Sequence, residues 1–247
     1  NGEMPYLNKK GGDFFFDVRD EVENILSTIL DLVNRRLPSF NSKWSKIWDI
    51  QVLSPTRKGL LGVDNLNNEI QAILNPSSKD KKEKQVRDIV FREGDKVMQI
   101  KNNYSLEWHR IGGDGENKGV GVFNGDMGYI ETIDEERKVL SVVFDDERRV
   151  IYEFMFLDEL ELAYAITIHK SQGSEFKVVV MPTFMGSAFL MNRNILYTGI
   201  TRAKELVVVV GNQRSLQYMV NNTNNMERYS SLKERIMDIT IDKNMIE

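Results

Sequence analysis

Three apolar runs near the carboxyl end, residues 164–168, 178–181 and 206–210, constrain the fold more than anything else in the chain. Each has the length of a strand and the composition of a buried one. The links between them are polar. His169-Lys170-Ser171-Gln172-Gly173-Ser174-Glu175 follows the first run, and Tyr197-Thr198-Gly199-Ile200-Thr201-Arg202-Ala203-Lys204 precedes the third. Polar groups crowded at the carboxyl ends of apolar strands are the pattern of an α/β sheet. There the strand ends open into a ligand crevice, and the strands hold reactive side chains still.

The amino-terminal third has the same texture. Residues 13–16 predict a short strand. Residues 17–37 predict a helix, because Val18, Val22, Ile25, Ile29, Leu32 and Val33 recur at three- and four-residue steps before Pro38 stops it. Residues 50–53 predict another strand, followed by Ser54-Pro55-Thr56-Arg57-Lys58-Gly59. A second helix is expected to start near Asp64 as its cap, to bury Leu66, Ile70, Ile73 and Leu74, and to end before Pro76. Residues 77–85 are polar and lysine-rich and predict a surface linker.

Between about 91 and 156 the texture changes to short β segments, at 97–100, 121–123, 128–133, 139–144 and 150–154. Asn124-Gly125-Asp126 and Asp145-Asp146-Glu147 supply turn chemistry between them. Close strands with no helix between them predict a small barrel. The expected organisation is therefore an α/β domain made of residues 1–90 and 161–220, a β-barrel inserted at 91–160, and a tail at 221–247 with a helical stretch around 232–236. The glycine-rich loop 111–119 is expected to be mobile. The chain starts at Asn1 rather than Met, and is read as a piece of something longer.

Composition excludes several classes. With 41% hydrophobic and 28% charged residues, the 247-residue chain has the balance of a soluble globular protein. No apolar run approaches the roughly 18 residues of a membrane helix. The chain has no cysteine, which excludes disulfides and thiolate metal sites and fits a reducing cytoplasm. A net charge of −4 makes the whole surface no magnet for nucleic acid, although a local basic stripe suffices for binding.

Arg202 is the first candidate for chemistry. A guanidinium between a helix and a strand is able to project into a crevice and clamp a phosphoryl group; the same residue type also serves as a surface ion-pair partner. Glu175 is able to accept hydrogen bonds from a ribose hydroxyl, or to be a solvated loop carboxylate. Thr167, His169, Lys170, Ser171 and Gln172 form a donor set suited to phosphate oxygens and base edges. Arg57 and Lys58 either touch phosphate or form a basic turn.

Two look-alikes are set aside. Val142-Val143-Phe144-Asp145-Asp146-Glu147 imitates a strand ending in magnesium-binding acids, but a hairpin turn within the β region explains it better. Gly112-Gly113-Asp114-Gly115-Glu116-Asn117-Lys118-Gly119 is not a phosphate loop, because GxxxxGK[ST] occurs nowhere in the chain. The chain alone is therefore not expected to hold or hydrolyse a triphosphate.

Residues 165–176 resemble motif V of superfamily 1 DNA helicases, nearest to the RecD-like branch, and residues 196–204 resemble motif VI. Residues 52–59 and 62–67 resemble the motif IV region of that branch. Gly94-Asp95-Lys96-Val97-Met98-Gln99 and Asn124-Gly125-Asp126-Met127-Gly128 resemble its inserted SH3-like barrel, and Gly2-Glu3-Met4-Pro5 resembles the segment after motif III. The resemblance covers most of residues 1–220. It implies an α/β, RecA-like parallel-sheet domain, the second of two, carrying the inserted barrel. The first domain, with the Walker A sequence and the Mg²⁺-binding carboxylates, is implied upstream.

By position, Arg202 matches the arginine that reaches the γ-phosphate of ATP across the domain cleft. Glu175 matches a residue near the ribose, Gly173 keeps that loop close to the nucleotide, and Arg57 is a further nucleotide-side candidate. Thr167, His169 and Lys170 are implied to face single-stranded DNA, and the barrel to guide or separate strands. The implied activity is that of the motor half of an ATP-dependent helicase, 5′ to 3′ in direction, with ATP and Mg²⁺ held mainly by the missing domain. DNA and recombination or repair subunits are the implied partners. A non-catalytic DNA-binding or protein-docking module is the alternative.

Overall fold

The computed structural model describes residues 8–9, 11–112, 118–186 and 189–223. The centre of the loop at 111–119 and the expected helical stretch around 232–236 lie outside the described residues. From the amino end come β1 (Phe14–Val18), α1 (Val22–Asp31), a π-helical stretch (Leu32–Arg36), α2 (Leu37–Phe40), β2 (Ile50–Ser54) and α3 (Val63–Leu74). A run of strands follows: β3 (Glu83–Val86), β4 (Ile89–Arg92), β5 (Lys96–Gln99), β6 (Asn103–Arg110), β7 (Lys118–Val122), β8 (Met127–Asp134), β9 (Val139–Phe144) and β10 (Arg148–Glu153). A 3₁₀ stretch (Phe154–Glu159) leads to β11 (Leu160–Leu162). The α/β texture then resumes with β12 (Ala165–Thr167), β13 (Phe176–Thr183), α4 (Arg193–Ile200), β14 (Ala203–Gly211) and α5 (Gln213–Asn221).

Two main sheets result. One has five parallel strands in the order β1-β14-β13-β2-β12. Its inner strands are apolar at nearly every position because both faces are covered. Along β13, Val178 and Val180 join the core beneath α1 and α3, while Val179 and Met181 turn to the face of α4 and α5. β14 divides the same way, with Leu206, Val208 and Val210 on one side and Val207 and Val209 on the other. The second sheet has seven antiparallel strands, β11-β5-β8-β9-β10-β6-β7. This is the expected class, a RecA-like sheet with an SH3-like insertion. The acidic look-alike at 145–147 is indeed the turn between β9 and β10.

Three local expectations are corrected. Pro38 does not stop the first helix. The helix widens into the π-helical stretch, where the Leu37 N–H donates to the Leu32 carbonyl, and continues to Phe40. A proline lacks its own N–H and crowds the carbonyl four residues back, and a π turn shifts that register. The cap of α3 is Gly62 rather than Asp64, which lies in the first turn. Part of the lysine-rich linker is β3, paired with β4.

The apolar core is continuous from the parallel sheet into the insert, with Val52, Leu66 and Ile70 in one cluster with Phe91, Val97, Tyr152 and Leu157. Polar groups also cross this junction. The buried carboxylate of Asp95 accepts hydrogen bonds from Gln71 (2.6 Å) and Asn75 (2.7 Å) on and beside α3, from the Arg92 backbone (2.6 Å), and from the Tyr164 hydroxyl (2.9 Å). Burial raises the pKa of Asp95, against the pull of those donors. Among the described residues, no helix is long and apolar enough to cross a membrane.

Candidate functional site

The candidate residues fall into two groups at opposite edges of the parallel sheet. Thr167 ends β12, His169 and Lys170 follow its carboxyl end, and Arg57 follows the carboxyl end of β2. Glu175 immediately precedes β13, and Arg202 immediately precedes β14, so these two sit at amino ends. The expectation that the polar groups crowd at carboxyl ends therefore holds for the first group and is corrected for the second. The link from 168 to 175 runs from one edge to the other. β12 pairs with the end of β2 (Thr167 opposite Ser54), whereas β13 enters beside its start (Val178 opposite Ile50).

At the amino edge, the half-buried Arg202 reaches the strand-entry loop. Its guanidinium donates to the carbonyls of Ser174 and Thr198 and to the Thr201 hydroxyl, each at 3.3 Å. Its own carbonyl accepts from the Phe176 N–H at 2.8 Å. Among the described residues no carboxylate forms an ion pair with Arg202. Glu175 is exposed and pairs with Lys204 at 3.0 Å. Arg202 is thus turned toward residues 174–175, with its charge balanced only by neutral oxygens, which leaves it able to accept an anion.

At the carboxyl edge, one carboxylate joins two candidates. Glu161, on β11 of the seven-stranded sheet, accepts from Arg57 Nη2 at 2.6 Å and Nη1 at 3.3 Å, and from Lys170 Nζ at 2.9 Å. Asp64 takes Lys58 at 2.8 Å and approaches Arg57 at 3.4 Å. Burial pushes the Glu161 pKa up, but hydrogen bonds from Arg57 and Lys170 outweigh it and hold the group below its ordinary value. The hydrogen bond to Glu161 in turn raises Arg57. Thr167 is half-buried and its hydroxyl accepts from the Lys170 N–H at 3.3 Å, while His169 is exposed.

Gly173 has φ +90°, and a Cβ there would meet nothing within 4 Å. The glycine is required by the left-handed backbone. Sequence reasoning missed Glu161 and Lys204. Glu161 carried one signal, its place between the buried Leu160 and Leu162 in a strand alternation that turns it to the other face. Its partner Arg57 lies 104 residues away, so the pairing had no local trace.

Two family models match the chain. Residues 66–144 match the ATP-dependent RecD-like DNA helicase SH3 domain, and residues 162–210 match the UvrD-like helicase C-terminal domain. The ATP-dependent RecD2 DNA helicase of Deinococcus radiodurans is 33% identical over 68% of this chain and 21% of that protein. An uncharacterized protein of Methanocaldococcus jannaschii is 31% identical over 86% of this chain and 19% of that protein. Among solved structures, the Pif1 helicase from Bacteroides with ADP-AlF3 and ssDNA has a TM-score of 0.47 and 17% identity over 90% of this chain and 54% of that one.

A RecA-like parallel sheet interrupted by an SH3-like subdomain defines a superfamily 1 helicase architecture. The chain has that RecD-like, UvrD-like domain architecture, with the SH3 domain model over residues 66–144 and the helicase C-terminal model over 162–210. It spans about a fifth of the length of the first curated relatives it matches.

Proposed function

We propose that the chain is the second RecA-like motor domain of an ATP-dependent DNA helicase. In this reading residues 1–90 and 161–220 form the discontinuous motor domain, and 91–160 its insert. Arg202 serves as the arginine finger for ATP held, with Mg²⁺, by another RecA-like domain. The observation that carries the reading is the Arg202 guanidinium, which rests on carbonyl and hydroxyl oxygens with no carboxylate partner among the described residues. A neutral cradle keeps a guanidinium in place without spending its charge, as a group that stabilises a phosphoryl-transfer transition state requires. ATP supplies the phosphoryl group, and Mg²⁺ comes with it on the other domain. Glu175 beside it offers an exposed carboxylate to a ribose, and Gly173 sets the turn of the same loop.

Thr167, His169 and Lys170 contact single-stranded DNA at the other edge. Arg57 shares Glu161 with Lys170, which favours a role for Arg57 on the DNA side over the nucleotide side. In the complete protein, Arg202→Ala is expected to lower ATP turnover by about 10³–10⁵ while ATP binding persists. Normal turnover in that variant removes Arg202 from the active site.

A further inference from the structure

Lys96 is a cation with almost no access to water. It opens β5 of the insert and is 1% exposed. Its ammonium donates to the Ile47 carbonyl and to Gln51 Oε1, both at 2.8 Å. It lies 5.8 Å from the ring centres of both Trp48 and Phe176. The acids acting on it are Asp49 and Asp145. A buried ammonium costs several kcal/mol even after relaxation, and apolar side chains of similar volume commonly fill such positions with no loss of stability. Stability alone therefore gives this residue no reason to be a lysine.

Its contacts reach the segment before and into β2 and the entry of β13. Gln51, fully buried on β2, uses its amide N–H groups to bond the carbonyls of Ala163 (3.1 Å) and Tyr164 (3.0 Å), which lead into β12 and its loop. The Ala163 N–H donates back to the Lys96 carbonyl at 2.8 Å. On the other side, Phe176 is the residue after Glu175, and its N–H is the donor to the Arg202 carbonyl. Asp49 accepts from the Val178 N–H at 2.9 Å and pairs with Lys177 at 3.1 Å, so the loop before β2 also grips the start of β13. One side chain of the insert thus lies against the strand entry that carries Glu175 and bonds Arg202.

We propose that Lys96 is a positioning residue through which the insert sets the placement of the Glu175–Arg202 edge. The ammonium holds the Phe176 ring on one side and the Ile47–Gln51 segment on the other. A displacement of β5 then moves the entry of β13 and, through the Phe176–Arg202 hydrogen bond, the base of the guanidinium. The inference rests on the reading of that edge as nucleotide-facing. Spatial continuity alone does not establish coupling, so the test measures coupling directly.

The test uses the complete protein with Lys96→Met, which keeps length and apolar volume, with Phe176→Leu, and with both. Each single variant is expected to lower kcat for DNA-stimulated ATP hydrolysis about tenfold with KM for ATP unchanged. In Lys96→Met the Phe176 amide is expected to exchange faster while the Val142 and Val150 amides of the insert stay protected. The double variant is expected to be no worse than either single one. Wild-type kcat in both single variants with wild-type Phe176 protection in Lys96→Met overturns the proposal, as do additive losses in the double variant. A lowered Tm with kcat intact below melting leaves Lys96 a packing residue only, and also overturns it. Failure of the underlying reading looks different, since Arg202→Ala then keeps normal turnover whatever the Lys96 variants do.

Discussion

Glu161 holds Arg57 by two hydrogen bonds, of 2.6 and 3.3 Å, from a strand that belongs to the other sheet. The same carboxylate takes Lys170 at 2.9 Å. Residues that follow two different strands of the parallel sheet are thereby fastened to the seven-stranded sheet at one point, and the geometry of the carboxyl edge depends on both sheets staying in register.

Removing that carboxylate has a signed consequence for stability. The folded-state pKa of Glu161 is lowered, so its contribution is present above the unfolded carboxylate value and is lost as pH falls through the folded one. Glu161→Gln is expected to cost about 1 kcal/mol at neutral pH, since Arg57 keeps partial access to water. The difference from wild type should vanish in acid. Urea midpoints of the two proteins followed from about pH 7 into acid check this, and a gap that does not narrow as pH falls below the unfolded carboxylate value contradicts it.

Lys170 provides the check on DNA binding. If its ammonium meets a backbone phosphate of single-stranded DNA, Lys170→Gln removes one released counterion, and the slope of log K against log salt becomes shallower by about 0.7. The loss of affinity should be similar for different base sequences, because phosphate contacts carry no sequence information. An unchanged slope in titrations across several salt concentrations takes Lys170 off the DNA path.

The parallel sheet was legible because burial on both faces writes itself into continuous apolar runs, as at 178–181 and 206–210. Motif spacing then placed Arg202 between a helix and a strand, where it is found. β6 left no such trace. In Asn103–Arg110 no residue is fully buried, and Tyr104 is 70% exposed, so its place depends on backbone pairing with β7 and β10 rather than on side-chain period. The polarity of the strand ends was misjudged for a related reason. In a sheet of parallel strands a residue that follows a strand lies at the carboxyl end and one that precedes a strand lies at the amino end, so Lys170 and Glu175, in one loop, belong to opposite ends. Glu161 and Lys96 matter through partners tens of residues away, which periodicity does not register.

Lys96 also makes a measurable pH dependence. Burial pushes its pKa down from 10.5 to about 7. Between those values the unfolded chain binds a proton that the folded one does not, so stability rises with pH across the window and falls to a plateau below it. The slope contributed by this one group is at most about 1.4 kcal/mol per pH unit. Lys96→Met should abolish that rise, and the wild-type-minus-variant difference in unfolding free energy should climb as pH is raised from about 7 towards 10. A flat difference shows that the ammonium is solvated in the folded protein.

Two glycines should respond differently to the same substitution. At Gly211 a Cβ would stand 1.9 Å from the Thr183 carbonyl oxygen on the neighbouring strand, and backbone on both strands would have to move. Gly211→Ala is therefore expected to cost about 3 kcal/mol, the upper end of ordinary overpacking. Gly173 faces open space, so Gly173→Ala meets no clash and pays only for its left-handed backbone, about 1–2 kcal/mol. In a protein of this size that corresponds to about 2–4 °C in Tm per kcal/mol. The loop at 168–175 is where the two proteins should differ in function. Gly173→Ala perturbs the link between Lys170 and Glu175 directly and should reduce DNA-stimulated turnover more than its small loss of stability accounts for. Gly211→Ala should lose activity only as far as it unfolds. Activity measured well below both melting temperatures separates them, and equal activity there shows that the conformation of Gly173 is a matter of folding alone.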